Sequence, residues 1–92
     1  MKYKLNRRID VITESTTVKQ DKMSGWWAVN QGTADAYIDG VKVEPGQGID
    51  QYRDLPANVE YAEPIKIVCQ PGAEVVLTQL FYSEVKAIGE AE

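Results

Sequence analysis

Metal binding is the first chemistry that the side chains suggest. Acidic residues recur along the middle of the chain, where carboxylate oxygens could converge on a calcium ion. Their spacing does not follow a calcium-binding loop, and a solvated strand face explains them more simply. The sequence therefore predicts no metal site and no cofactor. The acidic residues concerned are Asp35, Asp39, Glu44, Asp50 and Asp54.

Nucleophilic and acid–base groups are scarce. The chain has no histidine and a single cysteine, so the usual general base and a cysteine–histidine nucleophile are absent. Cys69 ends an apolar run with Ile65 and Ile67 on its face, which predicts a small core residue. The Gly-x-Gly at 46–48 lacks the third glycine and the helix of a phosphate-binding loop. We predict that the chain is not an enzyme acting alone, with an enzyme accessory subunit or inhibitor as a weaker alternative.

Two adjacent tryptophans are the strongest candidates for binding. In a strand their side chains point to opposite faces. Trp27 shares its face with Val29, which assigns Trp27 to the core and turns Trp26 outward. A loop over 48–58 could then cover Trp26, or Trp26 could contact another subunit or stack on a carbohydrate. The aromatic residues predicted at an interface are Trp26, Tyr37 and Tyr52.

The charge is unevenly distributed. Residues 1–8 contain four basic residues and no acid, whereas positions 9–92 contain six basic and fourteen acidic residues, a net charge of −8. An acidic body repels phosphate, so nucleic acid is an unlikely partner. The alternating pattern of the basic arm predicts an extended strand that docks on a neighbouring acidic copy or, alternatively, pairs within its own domain. The arm residues predicted at the interface are Lys2, Tyr3, Lys4, Leu5, Arg7 and Arg8.

The size of the chain, 92 residues, predicts one domain with a small core, which favours homo-oligomers. The first residues do not resemble a signal peptide, and no apolar run is long enough to span a membrane. A lone cysteine fits folding in a reducing cytoplasm. We predict an extended arm over 1–8, a folded domain over 9–83 and an acidic tail over 84–92.

Strand signals dominate, and no helix is required. Positions 9–18 are rich in β-branched residues and predict one long strand, followed by a loop over 19–24. Further strands are predicted over 26–30, 34–38, 41–43, 64–69 and 74–82, with a long loop over 48–58. Six or seven short strands with regular turns predict an all-β fold, an antiparallel β-sandwich or jelly-roll-like barrel.

Turn residues support these boundaries. Asp39-Gly40 between two alternating runs predicts a type I′ hairpin turn. The segments 44–47 and 70–73 share the pattern X-Pro-Gly-X, which suits type II turns, because proline sets the first corner and glycine supplies a positive φ at the second.

The segment 27–48 resembles a motif of small virion proteins of tailed bacteriophages. In that motif an N-x-G-x-A turn leads into a strand, a short hairpin turn and an L/V-x-P-G turn. The resemblance covers about a quarter of the chain. It implies a capsid-decorating, auxiliary or tail-associated protein of the virion, made in the host cytoplasm, with no catalytic residues to transfer. The matching residues are Asn30, Gly32, Ala34, Val43, Pro45 and Gly46.

The sequence therefore favours a structural virion protein that binds copies of itself or other virion proteins. The alternative is a small carbohydrate- or surface-binding module, which would use its aromatic side chains as stacking faces.

Overall fold

A computed structural model describes residues 2–19, 23–53 and 60–85 of the chain. These residues form two antiparallel four-stranded sheets and no helix, so the prediction of an all-β antiparallel sandwich is confirmed. The strands are β1 (Lys2–Ile12), β2 (Thr16–Val18), β3 (Met23–Asn30), β4 (Ala36–Ile38), β5 (Val41–Val43), β6 (Gly48–Ile49), β7 (Ile65–Cys69) and β8 (Val75–Val85).

Two long strands dominate one of the sheets. Sheet I has the order β1-β8-β3-β6, and sheet II has the order β2-β7-β4-β5. In sheet I, β1 and β8 pair without interruption from Lys2 opposite Val85 to Ile12 opposite Val75. Strand β3 pairs with β8 only as far as Phe81. Within the described residues, the far ends of β1 and β8 therefore form a two-stranded ribbon beyond the rest of sheet I.

The core lies between the two sheets and follows a period of two. In β7, Ile65 and Ile67 are fully buried, whereas Lys66 and Val68 are exposed. Sheet I contributes alternate residues of β3 and β8 to the same core, among them Ala28, Val75 and Leu77. The alternation matches a sheet that packs on one face only, as each sheet of a sandwich does.

The predicted strand over 9–18 is wrong in its extent. The structure ends β1 at Ile12 and begins β2 at Thr16, and the two strands belong to different sheets. The Ser15 hydroxyl at this crossing accepts a hydrogen bond from the backbone N–H of Cys69 at 3.0 Å. β-Branched residues favour extended backbone on both sides of such a crossing, so composition does not reveal where the chain changes sheet.

Other predicted strand and loop boundaries also differ from those of the structure. Strand β3 begins at Met23, inside the predicted loop over 19–24, of which 20–22 lie outside the described residues. Met23 belongs to the core, and a bulge between Met23 and Gly25 accommodates the extra residue. The predicted loop over 48–58 contains the short strand β6, and positions 54–59 are not described. The predicted tail begins within β8, and positions 86–92 are not described.

The predicted hairpin turn between β4 and β5 is confirmed. Asp39 and Gly40 have φ angles of 50° and 82°, the two positive values that a type I′ turn requires. Asp39 also anchors the turn to β7. Its N–H donates to the Lys66 carbonyl at 2.8 Å, and its side-chain Oδ1 accepts from the Lys66 N–H at 2.8 Å.

We expect Gly40→Val to lower the free energy of unfolding by more than about 1 kcal/mol, because a β-branched residue is strained at positive φ. A Cβ atom at Gly40 would meet no atom within 4 Å, so backbone strain is the only source of this loss. Chemical denaturation measures it. Gly40→Asn is the matched control, because asparagine tolerates positive φ. An unchanged midpoint and slope for Gly40→Val would contradict the turn.

The two X-Pro-Gly-X turns are confirmed as well. Gly46 and Gly72 have φ angles of 85° and 99°. Each turn is closed by the expected hydrogen bond between its first and fourth residues, from Gln47 N–H to the Glu44 carbonyl and from Ala73 N–H to the Gln70 carbonyl, both at 2.9 Å. These angles and bonds match the type II geometry that proline followed by glycine favours.

Asn30, at the end of β3, joins the turn over 30–34 to the turn over 43–46. Its buried side-chain Nδ2 donates to the carbonyls of Ala34 at 2.8 Å and Val43 at 2.9 Å. Its Oδ1 accepts from the Gly32 N–H at 2.9 Å. Its own carbonyl accepts from the Gly46 N–H at 2.7 Å. Asn30 is thus hydrogen-bonded to Gly32, Ala34, Val43 and Gly46. These bonds explain the spacing of the five residues within this fold.

Candidate protein-binding surface

The outward faces of the two sheets differ in chemistry. Sheet II turns mainly polar residues outward, namely Thr17, Tyr37, Lys42 and Lys66, with Val68 as an apolar neighbour among them. In sheet I, the residues of β3 and β8 that face away from the core are also mostly apolar. The cross-strand register aligns Ile9 with Thr78 and Trp27, and Val11 with Val76 and Val29. We define the outer face of sheet I by Leu5, Ile9, Val11, Trp27, Val29 and Val76.

The outer face of sheet I is unusually accessible along β1. Leu5, Ile9 and Val11 are 52%, 56% and 58% exposed. They are three of the five large apolar residues that the described part of the chain exposes. On the same face, Leu80 is buried yet lies outside the main core cluster. Sheet I is therefore apolar on both faces, although only its inner face is covered by sheet II.

Trp27 lies on this outer face, and its predicted place in the core is wrong. It is half-buried, and the Arg53 guanidinium lies over its ring at 5.1 Å from the centroid. This is the geometry of a cation–π contact. The parity argument failed because both faces of β3 are apolar. Sharing a face with Val29 therefore did not distinguish the core from the surface.

Trp26, predicted to face outward, is instead 1% exposed and belongs to the core. Its ring stacks on Tyr52 with centroids 5.3 Å apart and meets Tyr61 edge-on at 5.8 Å. Tyr52, from the loop predicted over 48–58, does pack on Trp26, but on the core side of β3 and not over an outward-facing ring. Burial, followed by the influence of Tyr52, raises the pKa of Tyr61. The cluster is a packed, neutral part of the fold.

The three aromatic residues predicted at an interface are not brought together on the surface. Trp26 and Tyr52 pack against each other, whereas Tyr37 lies in β4 on the opposite sheet. They do not form the common stacking face that a carbohydrate-binding module would need. Sequence reasoning missed Arg53 and the β1 residues Ile9 and Val11. The available signal was the alternation of apolar residues at 5, 9 and 11, which continues beyond the predicted arm.

The basic arm is part of the folded domain. Positions 2–8 belong to β1 and pair with β8, so the alternative of pairing within the same chain is the one observed. Lys4, Arg7 and Arg8 are exposed. Arg8 forms an ion pair with Asp10 at 3.0 Å. Lys2 and Tyr3 are placed here by their backbone alone. A contact of these residues with a partner stays a prediction.

Three of the five acidic residues considered for calcium have structural partners in the described part of the chain. Lys42 lies 3.6 Å from Asp35 and 3.8 Å from Glu44, and Asp39 anchors its turn to β7. Asp54 lies outside the described residues. In the described ranges, no three or more acidic or cysteine side chains are grouped as metal ligands would be. Strand alternation and turn geometry explain where the described acids lie.

Cys69 packs against the core as a partly buried residue, in line with its predicted role. Its thiol donates a weak hydrogen bond to the Ile12 carbonyl at 3.7 Å. Burial raises the pKa of the thiol, which keeps it protonated at neutral pH and therefore weakly nucleophilic.

Among the described surfaces, the outer face of sheet I combines exposed apolar side chains on β1 with the Trp27–Arg53 pair. The described residues include no helix that could cross a membrane. Comparisons of the chain with protein-family models, with curated proteins and with solved structures gave no match.

Proposed function

We propose that this chain is a structural assembly protein, which binds copies of itself or other proteins of a bacteriophage particle through the outer face of sheet I. The observation that carries the proposal is the apolar outer face itself, set against the polar outer face of sheet II. Contiguous exposed apolar patches are uncommon on monomeric proteins and mark interaction sites. The phage setting comes from the resemblance of the 27–48 motif.

The composition of this face supports a protein partner. The cores of protein interfaces are enriched in aromatic residues and arginine and poor in acidic residues and lysine. Trp27 with Arg53 above it supplies such a pair near the middle strands of sheet I. Ile9 and Val11 extend the same face to the β1 edge. A partner that covers this face would remove apolar surface from water and leave the core of the sandwich unchanged.

Matched lysine substitutions on the two sheets test the proposal. Val76 lies in the inner strand β8 on the outer face of sheet I, and Val68 lies in the inner strand β7 on the outer face of sheet II. We expect the unsubstituted protein to associate with rising concentration in sedimentation equilibrium. Val76→Lys should weaken this association and shift the protein to smaller species, because a dry interface disfavours an unpaired charge. Val68→Lys should associate as the unsubstituted protein does.

Circular dichroism and thermal midpoints would show that both variants are folded, since lysine can extend its ammonium group into water from either site. A protein that stays monomeric at every concentration would overturn the proposal. Equal association of both variants would also overturn it, because the outer face of sheet I would then make no special contribution.

A further inference from the structure

We propose that two copies of the chain pair along β1, antiparallel about a two-fold axis at Arg7, so that their sheets I form one continuous sheet. This inference rests on the proposed assembly function, and it adds a contact along the β1 edge and names the partner there, a second copy of this chain. The outer faces of the two sheets would then join into one surface, which is largely apolar apart from the two exposed Arg7 side chains at the axis.

The β1 edge is long and regular. Within the described residues, β1 is the edge strand of sheet I, with eleven residues and an uninterrupted register against β8. An exposed edge presents unpaired backbone N–H and carbonyl groups that another strand can complete. The opposite edge, β6, has only two residues. The β1 edge therefore offers the longer backbone ladder.

The Arg7-centred register pairs complementary side chains. It places Leu5 opposite the partner's Ile9, and the symmetry repeats this pair. Both residues are more than half exposed in the single chain. The same register places Lys4 opposite the partner's Asp10. Asp10 already accepts Arg8 at 3.0 Å, and Lys4 would add a second cation beside it. Lys4 of one copy thus meets Asp10, the one acidic residue of β1, in the other copy.

The main competing register is centred on Ile9 and is less favourable. It would pair only positions 6–12 and leave Leu5 outside the ladder. Its Arg8 would oppose the partner's Asp10 and add a second cation there, as Lys4 does in the Arg7-centred register, so the shorter ladder and the unpaired Leu5 are what disfavour it. The Arg7-centred register brings two Arg7 residues together at the axis. This repulsion is small, because Arg7 is exposed and water and salt screen the charges.

Disulfide cross-linking distinguishes the registers. In a Cys69→Ser background, Arg7→Cys should give a covalent dimer under mild oxidation, visible on a non-reducing gel. Directly opposed residues of antiparallel strands have Cβ atoms about 4.5–5.5 Å apart, close to the span of a disulfide. Ile9→Cys in the same background is the control. In the Arg7-centred register, its two copies are offset by about 13 Å along the strands, too far to bridge.

We expect at least a tenfold excess of covalent dimer for Arg7→Cys over Ile9→Cys. Cross-linking of Ile9→Cys alone would overturn the Arg7-centred register. Cross-linking of neither variant, or of both equally as in random collision, would overturn the Arg7-centred pairing along β1. In those cases, association that Val76→Lys weakens would still support the proposed assembly function. A strictly monomeric unsubstituted protein would overturn both proposals.

Discussion

Trp26→Ala lowers the free energy of unfolding by about 3–5 kcal/mol or leaves the chain unfolded, the range expected when a large buried aromatic residue is truncated. The reason is the position of Trp26 at 1% exposure within the core. Its loss would also remove the ring against which Tyr52 and Tyr61 pack. Urea denaturation followed by circular dichroism measures the loss.

Trp27→Ala is the matched control, because the same residue type is truncated one position along the strand. Trp27 is half-buried and covered on one side by Arg53. We expect its truncation to cost about 1 kcal/mol, mainly the cation–π contact and partial burial. It should also weaken self-association, which Trp26→Phe should retain. If Trp27→Ala destabilised the chain as much as Trp26→Ala, the assignment of the two faces of β3 would be incorrect.

Asn30→Ala should lower the free energy of unfolding by about 3 kcal/mol, because it removes several buried hydrogen bonds and leaves their partners unsatisfied. The carbonyls of Ala34 and Val43 would lose their donor, and the Gly32 N–H would lose its acceptor. The Glu74 N–H, 3.4 Å from the same Oδ1, would be affected as well. Denaturant titration at neutral pH measures the change.

Two further substitutions test whether the loss of stability comes from the hydrogen bonds of the Asn30 amide. Asn30→Asp should destabilise the chain at least as strongly as Asn30→Ala, because a carboxylate oxygen would replace the amide nitrogen that faces two carbonyls. Asn6→Ala, at an exposed position of β1, should change the free energy by no more than about 0.5 kcal/mol. A loss below about 1 kcal/mol for Asn30→Ala would show that the loops around Asn30 hold together without it.

Local chemistry predicted the turns of this protein well. Asp39-Gly40 and the two Pro-Gly turns adopt the expected φ angles, because each depends on residues adjacent in sequence. The alternation in β7 also predicted its buried and exposed residues, since one strongly polar residue, Lys66, separates Ile65 and Ile67. These features need no knowledge of distant parts of the chain.

Local sequence patterns failed to predict which residues are buried where both faces of a strand are equally apolar. Trp26 and Trp27 are chemically identical, and the buried one is decided by Tyr52 and Tyr61, which lie far along the chain. The division of 9–18 between two sheets depends on β7 and β8, which pair with its two halves. Neither partner strand is visible in the local pattern of that segment.

The sequence by itself determined an all-β chain with defined turns, because backbone preferences and period-two patterns act over a few residues. Only the tertiary structure decided which surface is available for binding. Among the described residues, β1 is an edge strand, and Ile9, Val11 and Trp27 share the face of sheet I that sheet II does not cover, because β8 aligns β1 with β3 across large sequence separations. Such alignments follow from the packing of the whole chain, which balances the burial of both sheets at once.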